Sequence, residues 1–150
     1  MRLLGEAVVD FHPDHHRIGP APDEIIFHFV ISSSTFEGPQ VHLSAVPNCG
    51  VEWDTMRGDG VMTHESRHIL RTPSDELICA RLSGLYDAGN DGFLDALDDA
   101  LTSKARAQVA IHFYTAAKEY RWLNRAQLIG FGQRDFSSHT LDLHVFCLER

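Results

Sequence analysis

The sequence predicts an all-β domain, a sandwich or a barrel, and three observations predict it. Most of the chain reads as short runs that alternate apolar and polar residues, which is the period of a half-buried strand. These runs are punctuated at regular spacing by turn chemistry rich in Gly, Pro, Asp and Asn. A single stretch departs from this pattern and carries a helical stripe instead.

Taken in order, the opening MRLLGEAVVDF is too short and interrupted to predict a signal peptide. HPDHHRIGPAPD, 12–23, reads as loop, with its prolines, glycine and charges. EIIFHFVIS, 24–32, sets Ile25, Phe27, Phe29 and Ile31 against Ile26, His28 and Val30, so both of its faces read as buried. STFEGPQ and PNCG read as turns, VEWDTM, 51–56, as a strand, and RGDG, 57–60, as a tight turn before VMTHESRHIL. TPSDE, 72–76, closes that strand and LICARLSGLY follows. NDGFLDALDDALTSK, 90–104, places Phe93, Leu94, Leu97, Ala100 and Leu101 on one stripe, which predicts a short helix near 91–103, capped by Asn90 or Asp91 and packed as a plug or lid on the β core. VAIHFYT, RAQLIGFGQ and TLDLHVFCL then read as three closing strands.

Composition narrows the function classes. A chain of 150 residues with 43% apolar residues is one ordinary globular domain, 1–150. Thirteen basic against twenty-one acidic residues give a formal charge of −8, a poor balance for binding nucleic acid. No apolar run approaches a membrane span. Cys49, Cys79 and Cys147 are an odd, scattered set, which predicts reduced, buried thiols and a cytoplasmic protein.

HESRH, 64–68, fits the H-E-x-x-H zinc-protease pattern, but that pattern needs a helix. On a helix, histidines four apart stand about 6 Å apart. On a strand they stand about 13 Å apart, too far for one zinc with bonds near 2 Å. The flanking turns and Val61, Thr63 and Ile69 make this segment a strand, with Glu65 and Arg67 on the face opposite His64 and His68. HPDHH, 12–16, offers three histidines and an aspartate, yet nothing in the sequence preorients them, so no metal ligand is assigned. GFG, 130–132, lacks the third glycine and following helix of a dinucleotide loop. Glycines within a strand mark a bulge, a bend or a close approach.

TFEGP at 35–39, Trp53, RGDGV at 57–61, the E-S-R of 65–67, HFYT at 112–115, YRWLNR at 120–125 and GFGQR at 130–134 occur in an order that resembles the family catalogued as domain of unknown function 3237. The resemblance runs from about Glu24 to the C-terminus, and W-L-N followed by G-x-G-x-R is its most specific part. It implies a closed antiparallel β-barrel of about eight to ten strands, lipocalin- or calycin-like, with a central pocket. It implies no settled reaction. Where the family has D-A-R-Y, this chain has Glu65, Ser66, Arg67 and His68. Where the family often has Y-F-R-T, it has His112, Phe113, Tyr114 and Thr115, so an arginine is lost there.

A barrel of this size encloses one small ligand, and polar residues on its apolar strands are the candidates. Glu65 reads as a general acid or base, Arg67 or Arg81 as the holder of a carboxylate or enolate oxygen, and Asn124 and Tyr114 as donors to a carbonyl. Trp53 and Trp122 read as flat walls, and Tyr86 and Arg134 complete the ring. The bland alternative is a Glu–Arg network that satisfies itself and pins strand register, with Asn124 capping a bend. These residues predict a cofactor-independent enzyme doing proton-transfer chemistry (isomerisation, cyclisation or elimination) on a small apolar carbonyl or phenol. A non-catalytic carrier or sensor of a small hydrophobic ligand, and a metal-dependent enzyme using HPDHH or strand histidines, stand beside it. A small-molecule ligand and a homodimer are the expected partners, with no nucleic acid and no membrane.

Overall fold

A computed structural model of the chain describes residues 1–102 and 104–148. Nine strands form one antiparallel sheet: β1 (Arg2–Ile18), β2 (Ile25–Gly38), β3 (Val41–Ala45), β4 (Gly50–Met56), β5 (Val61–Arg71), β6 (Leu77–Asp87), β7 (Lys104–Thr115), β8 (Gln127–Asp135) and β9 (Thr140–Leu148). The pairing runs β1-β9-β8-β7-β6-β5-β4-β2 and returns to β1, so eight strands close a barrel. β3 is the extra strand. It follows β4 along the gap between β2 and β5, pairing with Thr35–Gly38 on one side and Arg71 and Leu70 on the other.

Closure settles which residues are buried. In β2, Ile25, Phe27, Phe29 and Ile31 point into the lumen and are buried. Ile26, His28 and Val30 face out and are only half-covered, so the strand is buried on one face and not on both. The outer face of a single-layered barrel has nothing but neighbouring side chains to cover it. His28, for example, lies against Trp53 with ring centres 4.5 Å apart.

Two segments expected as loop or turn are strand. β1 continues through HPDHH to Ile18, and its pairing with β2 is irregular between Asp10 and His15. Pro13 falls in that irregular stretch, where the missing N–H breaks no ladder bond. STFEG forms the end of β2, and the chain turns only at Pro39–Gln40.

The helix is shorter than its stripe. α1 spans Gly92–Leu97, against an expected 91–103, of which residue 103 lies outside the described residues. Asp91 holds the N-cap position without a side-chain bond. Asp99 ends the helix by taking a left-handed backbone, φ 50°. Phe93 and Leu97 pack against the core, whereas Leu94 is exposed. α1 and the loop after it sit at one end of the barrel, where the Arg17 guanidinium donates to the carbonyls of Ala96 and Leu97 at 3.2 and 2.8 Å. A 3₁₀ helix, Lys118–Arg125, lies at the other end and buries Tyr120 and Leu123; its Tyr120 hydroxyl accepts from the His42 N–H at 3.2 Å. Cys147 is buried and Cys79 half-buried, but Cys49 is exposed, contrary to expectation, in the turn before β4; all three are free. Among the described residues no helix is long and apolar enough to cross a membrane.

The GFG glycines mark a close approach. A Cβ on Gly132 would stand 1.7 Å from the Asp142 carbonyl oxygen of β9. We expect Gly132→Ala to lower stability by at least ~1–3 kcal/mol, as overpacking does. Gly58→Ala, in a turn with nothing near its Cβ position, should stay within about 0.5 kcal/mol of the parent. Urea unfolding of the two variants checks this; equal midpoints would disprove the close approach.

Candidate functional site

β4 and β5 carry the chemistry, and their alternation divides it between two sides of one sheet. Met62, His64, Ser66, His68 and Leu70 of β5 face the lumen and are buried, while Thr63, Glu65, Arg67 and Ile69 face out. On β4, Glu52, Asp54 and Met56 face in and Trp53 faces out, 46% exposed. The expectation that Glu65 and Arg67 oppose His64 and His68 holds. Their placement on a pocket-facing side of the lumen does not, because a shift of one residue in register turns every side chain over.

The lumen holds a buried polar cluster. Glu52, Asp54, His64, Ser66, His68, Tyr86 and Arg134 are all buried. Arg134 Nε of β8 donates to Glu52 Oε2 at 3.2 Å, and its Nη1 donates to the Asp135 and Thr140 carbonyls. The guanidinium lies over the rings of Phe11, Phe136 and Phe29, 3.9, 4.5 and 4.8 Å from their centres. The Tyr86 hydroxyl donates to Glu52 Oε1 at 2.6 Å, and its ring stacks on His64 at 4.4 Å. His64 Nδ1 lies 2.8 Å from Asp54 Oδ1, and the Ser66 hydroxyl lies 3.1 Å from the Nε2 atoms of both His64 and His68. Asp54 Oδ2 and Arg134 Nη2 have no hydrogen-bond partner among the described residues.

Burial sets the protonation states. Burial pushes Glu52 up, but Arg134, His64, Asp54 and Tyr86 overcome it and hold its pKa at about 2. Burial and the neighbouring Glu52 charge push Asp54 well above the usual carboxylate range. Burial lowers His64, and burial with His64 beside it lowers His68 to about 4. These directions favour a charged Glu52–Arg134 pair, a proton retained on Asp54 and neutral histidines. His64 Nδ1 also lies 3.3 Å from Glu52 Oε1, so this nitrogen is the N–H side of the ring, turned to the two carboxylates, and the Ser66 hydroxyl lies between the Nε2 atoms of His64 and His68.

Glu52, Asp54 and His64 also offer three donor atoms within 4.8 Å of one another, a spacing that suits a metal ion. The Arg134 cation on Glu52 opposes a second cation there, and a shared proton satisfies the same atoms at less electrostatic cost. The histidines of HPDHH have separate partners: His12 contacts Asn48, His15 contacts Asp99 at 3.0 Å and His16 contacts His28 at 3.4 Å.

Three concavities surround this cluster. A cavity of about 300 Å³ at the α1 end is lined by His15, Phe27, Phe29, Leu101, Phe136 and His139, among others. Phe136 and Phe29 separate it from Arg134. A dry apolar void of about 40 Å³ touches His68 at the 3₁₀ end. A groove of about 590 Å³ runs along the outer face of β4 to β7 beside the 3₁₀ helix.

The predicted site residues divide accordingly. Tyr86 and Arg134 are in the lumen. Trp53, Glu65, Arg67, Arg81, Tyr114 and Asn124 line the outer groove. Trp122 is half-buried against the core. The Asn124 amide is committed to the Thr115 backbone, accepting from its N–H at 2.9 Å and donating to its carbonyl at 2.8 Å, so it pins the 3₁₀ helix to β7. Glu52, Asp54, His64, Ser66 and His68 were not singled out from sequence as site residues. A signal for three of them was present in β5, where the face with two formal charges, Glu65 and Arg67, is the worse one to bury.

The profile described as a protein of unknown function, DUF3237, matches residues 1–146. The chain belongs to the DUF3237 family. Solved structures agree in fold. A protein of unknown function from Clostridium acetobutylicum shares 13% identity, with 99% of this chain and 98% of the other covered, at a TM-score of 0.82. A β-barrel-like protein from Acinetobacter baumannii shares 19%, with 99% and 94% covered, also at 0.82. An enzyme from Penicillium herquei shares 13%, with 97% of each chain covered, at 0.64. No curated protein matches the chain. This DUF3237 barrel places an acid pair, Glu52 and Asp54, on one inward strand face.

His68 makes stability pH-dependent. Its folded pKa lies below its ordinary 6.5, so below pH 6.5 the unfolded chain takes a proton that the folded chain refuses until about pH 4. Its contribution is full above pH 6.5 and falls between there and pH 4, by up to ~1.4 kcal/mol per pH unit. Urea unfolding from pH 7 to 4 should show this slope, and His68→Phe should flatten it. An unchanged slope in the variant would show that His68 titrates normally.

Proposed function

We propose that the lumen is a proton-transfer site, acting without a cofactor on a small, largely apolar carbonyl or phenol by isomerisation, cyclisation or elimination. The observation that carries this reading is the Glu52–Asp54 pair: two carboxylates two residues apart on one buried strand face, held in opposite protonation states by burial and Arg134. Environments that drive two acids apart assign their roles. Asp54 carries a proton to give, Glu52 is the fixed anion, and Arg134 Nη2 is a donor awaiting an acceptor.

The step balances within these groups. Arg134 Nη2 and the Asp54 proton meet a developing enolate or phenolate oxygen, while neutral His64, with its Nδ1–H turned to Asp54, takes a proton from carbon at Nε2. The imidazolium then passes its Nδ1 proton to the Asp54 carboxylate across their 2.8 Å contact. Ser66 and His68 hold the imidazole and spread its charge. The substrate enters from the 300 Å³ cavity, whose aromatic floor suits a flat apolar molecule. Phe136, at the head of the β8–β9 turn, lines that cavity and lies over Arg134, so it stands between them, and on this reading its ring moves aside to admit the substrate. The Penicillium herquei neighbour is called an enzyme; that supports catalysis on this barrel and says nothing of residues.

A carrier is the second reading, favoured by the aromatic layer that keeps the cavity apart from the acid and bases. Incubation with small aryl ketones in D₂O, followed by NMR, separates the two. An enzyme exchanges the α-protons of a bound ketone, and Asp54→Asn slows exchange about 10²-fold or more without abolishing binding. Binding with no exchange, or equal exchange in the variant, overturns the proton-transfer reading.

A further inference from the structure

The outer groove carries chemistry that the lumen does not use. Strand register sets Val51, Arg67, Arg81 and His112 in one row across β4, β5, β6 and β7, all facing out. Arg67 and Arg81 are directly opposite, with Cα atoms roughly 5 Å apart. Like charges so placed are unfavourable. Three other exposed arginines have carboxylates, Arg57 with Asp59, Arg71 with Asp75 and Arg106 with Asp87, whereas Arg17 and Arg121 turn to backbone carbonyls. Among the described residues, none forms an ion pair with Arg67 or Arg81. In a chain of net charge −8, this cationic pair lies inside the outer groove with no carboxylate paired to it, although Glu65 also lines the groove.

The row is bracketed by aromatics. Trp53 lies one same-face step away at the β4 side and Tyr114 one step the other way on β7, each about 7 Å along its strand. They are 46% and 65% exposed. Glu65, next to Trp53 in the adjoining row, sets a negative charge at the groove's edge and disfavours a dianion.

We infer that this groove is a second ligand site, for a small aryl carboxylate. The carboxylate bridges the Arg67 and Arg81 guanidinium groups, with His112 beside them, and the ring lies against Trp53 or Tyr114. Arginine forks match a planar carboxylate in both geometry and charge, and the volume fits one such molecule. The site stands on the opposite side of the sheet from the lumen and does not depend on the lumen's being catalytic.

Benzoate titrated into the full chain, followed by tryptophan fluorescence and calorimetry, tests this, with acetate and inorganic phosphate as comparison anions. We expect saturable benzoate binding, weaker acetate because the ring contributes, and weaker phosphate because of Glu65. Arg67→Gln and Arg81→Gln should each weaken benzoate by about tenfold or more. Gly58→Ala, in a turn away from the groove, should leave it unchanged. Absence of saturable binding, equal binding in the arginine variants, or acetate or phosphate binding as tightly as benzoate overturns the inference. Circular dichroism of these surface variants confirms that a lost signal is not lost fold.

Discussion

The Glu52–Arg134 ion pair spans the barrel. β4 and β8 stand four places apart in either direction round the eight-strand ring, so the pair crosses the lumen from one wall to the opposite wall. Neither charge reaches water. Removing one partner of such a pair costs roughly 3–5 kcal/mol, because the other charge stays buried. Three phenylalanine rings and two carbonyls complete the Arg134 environment. With one full negative charge already fixed on Glu52, a second on Asp54 two residues away is unfavourable, so Asp54 keeps its proton. Burial lowers His64 and His68 more than the Glu52 charge raises them, so both stay neutral. The protonation of the cluster follows from burial acting around this one charged pair.

The same pair bears on purpose. A well-packed apolar lumen is often as stable as a buried ion pair, or more so, and the flanks of this one show that the barrel has the residues to build it: Phe27 and Phe29 toward one end, Phe36, Phe113 and Leu70 toward the other. Most buried polar groups concentrate in the middle, with Ser34 and His68 toward the 3₁₀ end, and Arg134 Nη2 is without a partner among the described residues. A buried donor left unpaired is a cost that pinning strand register does not require.

Much of the fold was legible because alternation and turn residues are local. β4, β5 and β6 and the closing strands follow their patterns closely. HPDHH misleads because a bulged strand carrying a proline has the composition of a loop. The 91–103 stripe misleads because periodicity counts apolar positions and ignores Asp98 and Asp99, whose short acidic side chains favour turns. The site was harder to read. On β4, the apolar choice puts Trp53 inward, yet the lumen takes Glu52 and Asp54, because a charge can be buried when its partner comes from β8, 82 residues away. No local rule sees that partner. On β5, the residues with formal charge drew attention, while the lumen selected His64, Ser66 and His68, which can be neutral and hydrogen-bonded inside a protein.

One strand thus separates two chemical environments by the thickness of a backbone. His64 and Glu65 are chain neighbours on opposite faces of β5, as are Arg67 and His68. A barrel wall has no second layer to insulate them. On His64 the pull of burial is opposed first by Glu52 within the lumen and least by Glu65 across the sheet. Most of what sets the imidazole's charge therefore lies inside the barrel, with a small part reaching it through the wall. A uniformly apolar lumen would be indifferent to what lies outside it. This one is not, because its neutral groups are held neutral by a balance of burial against nearby charge.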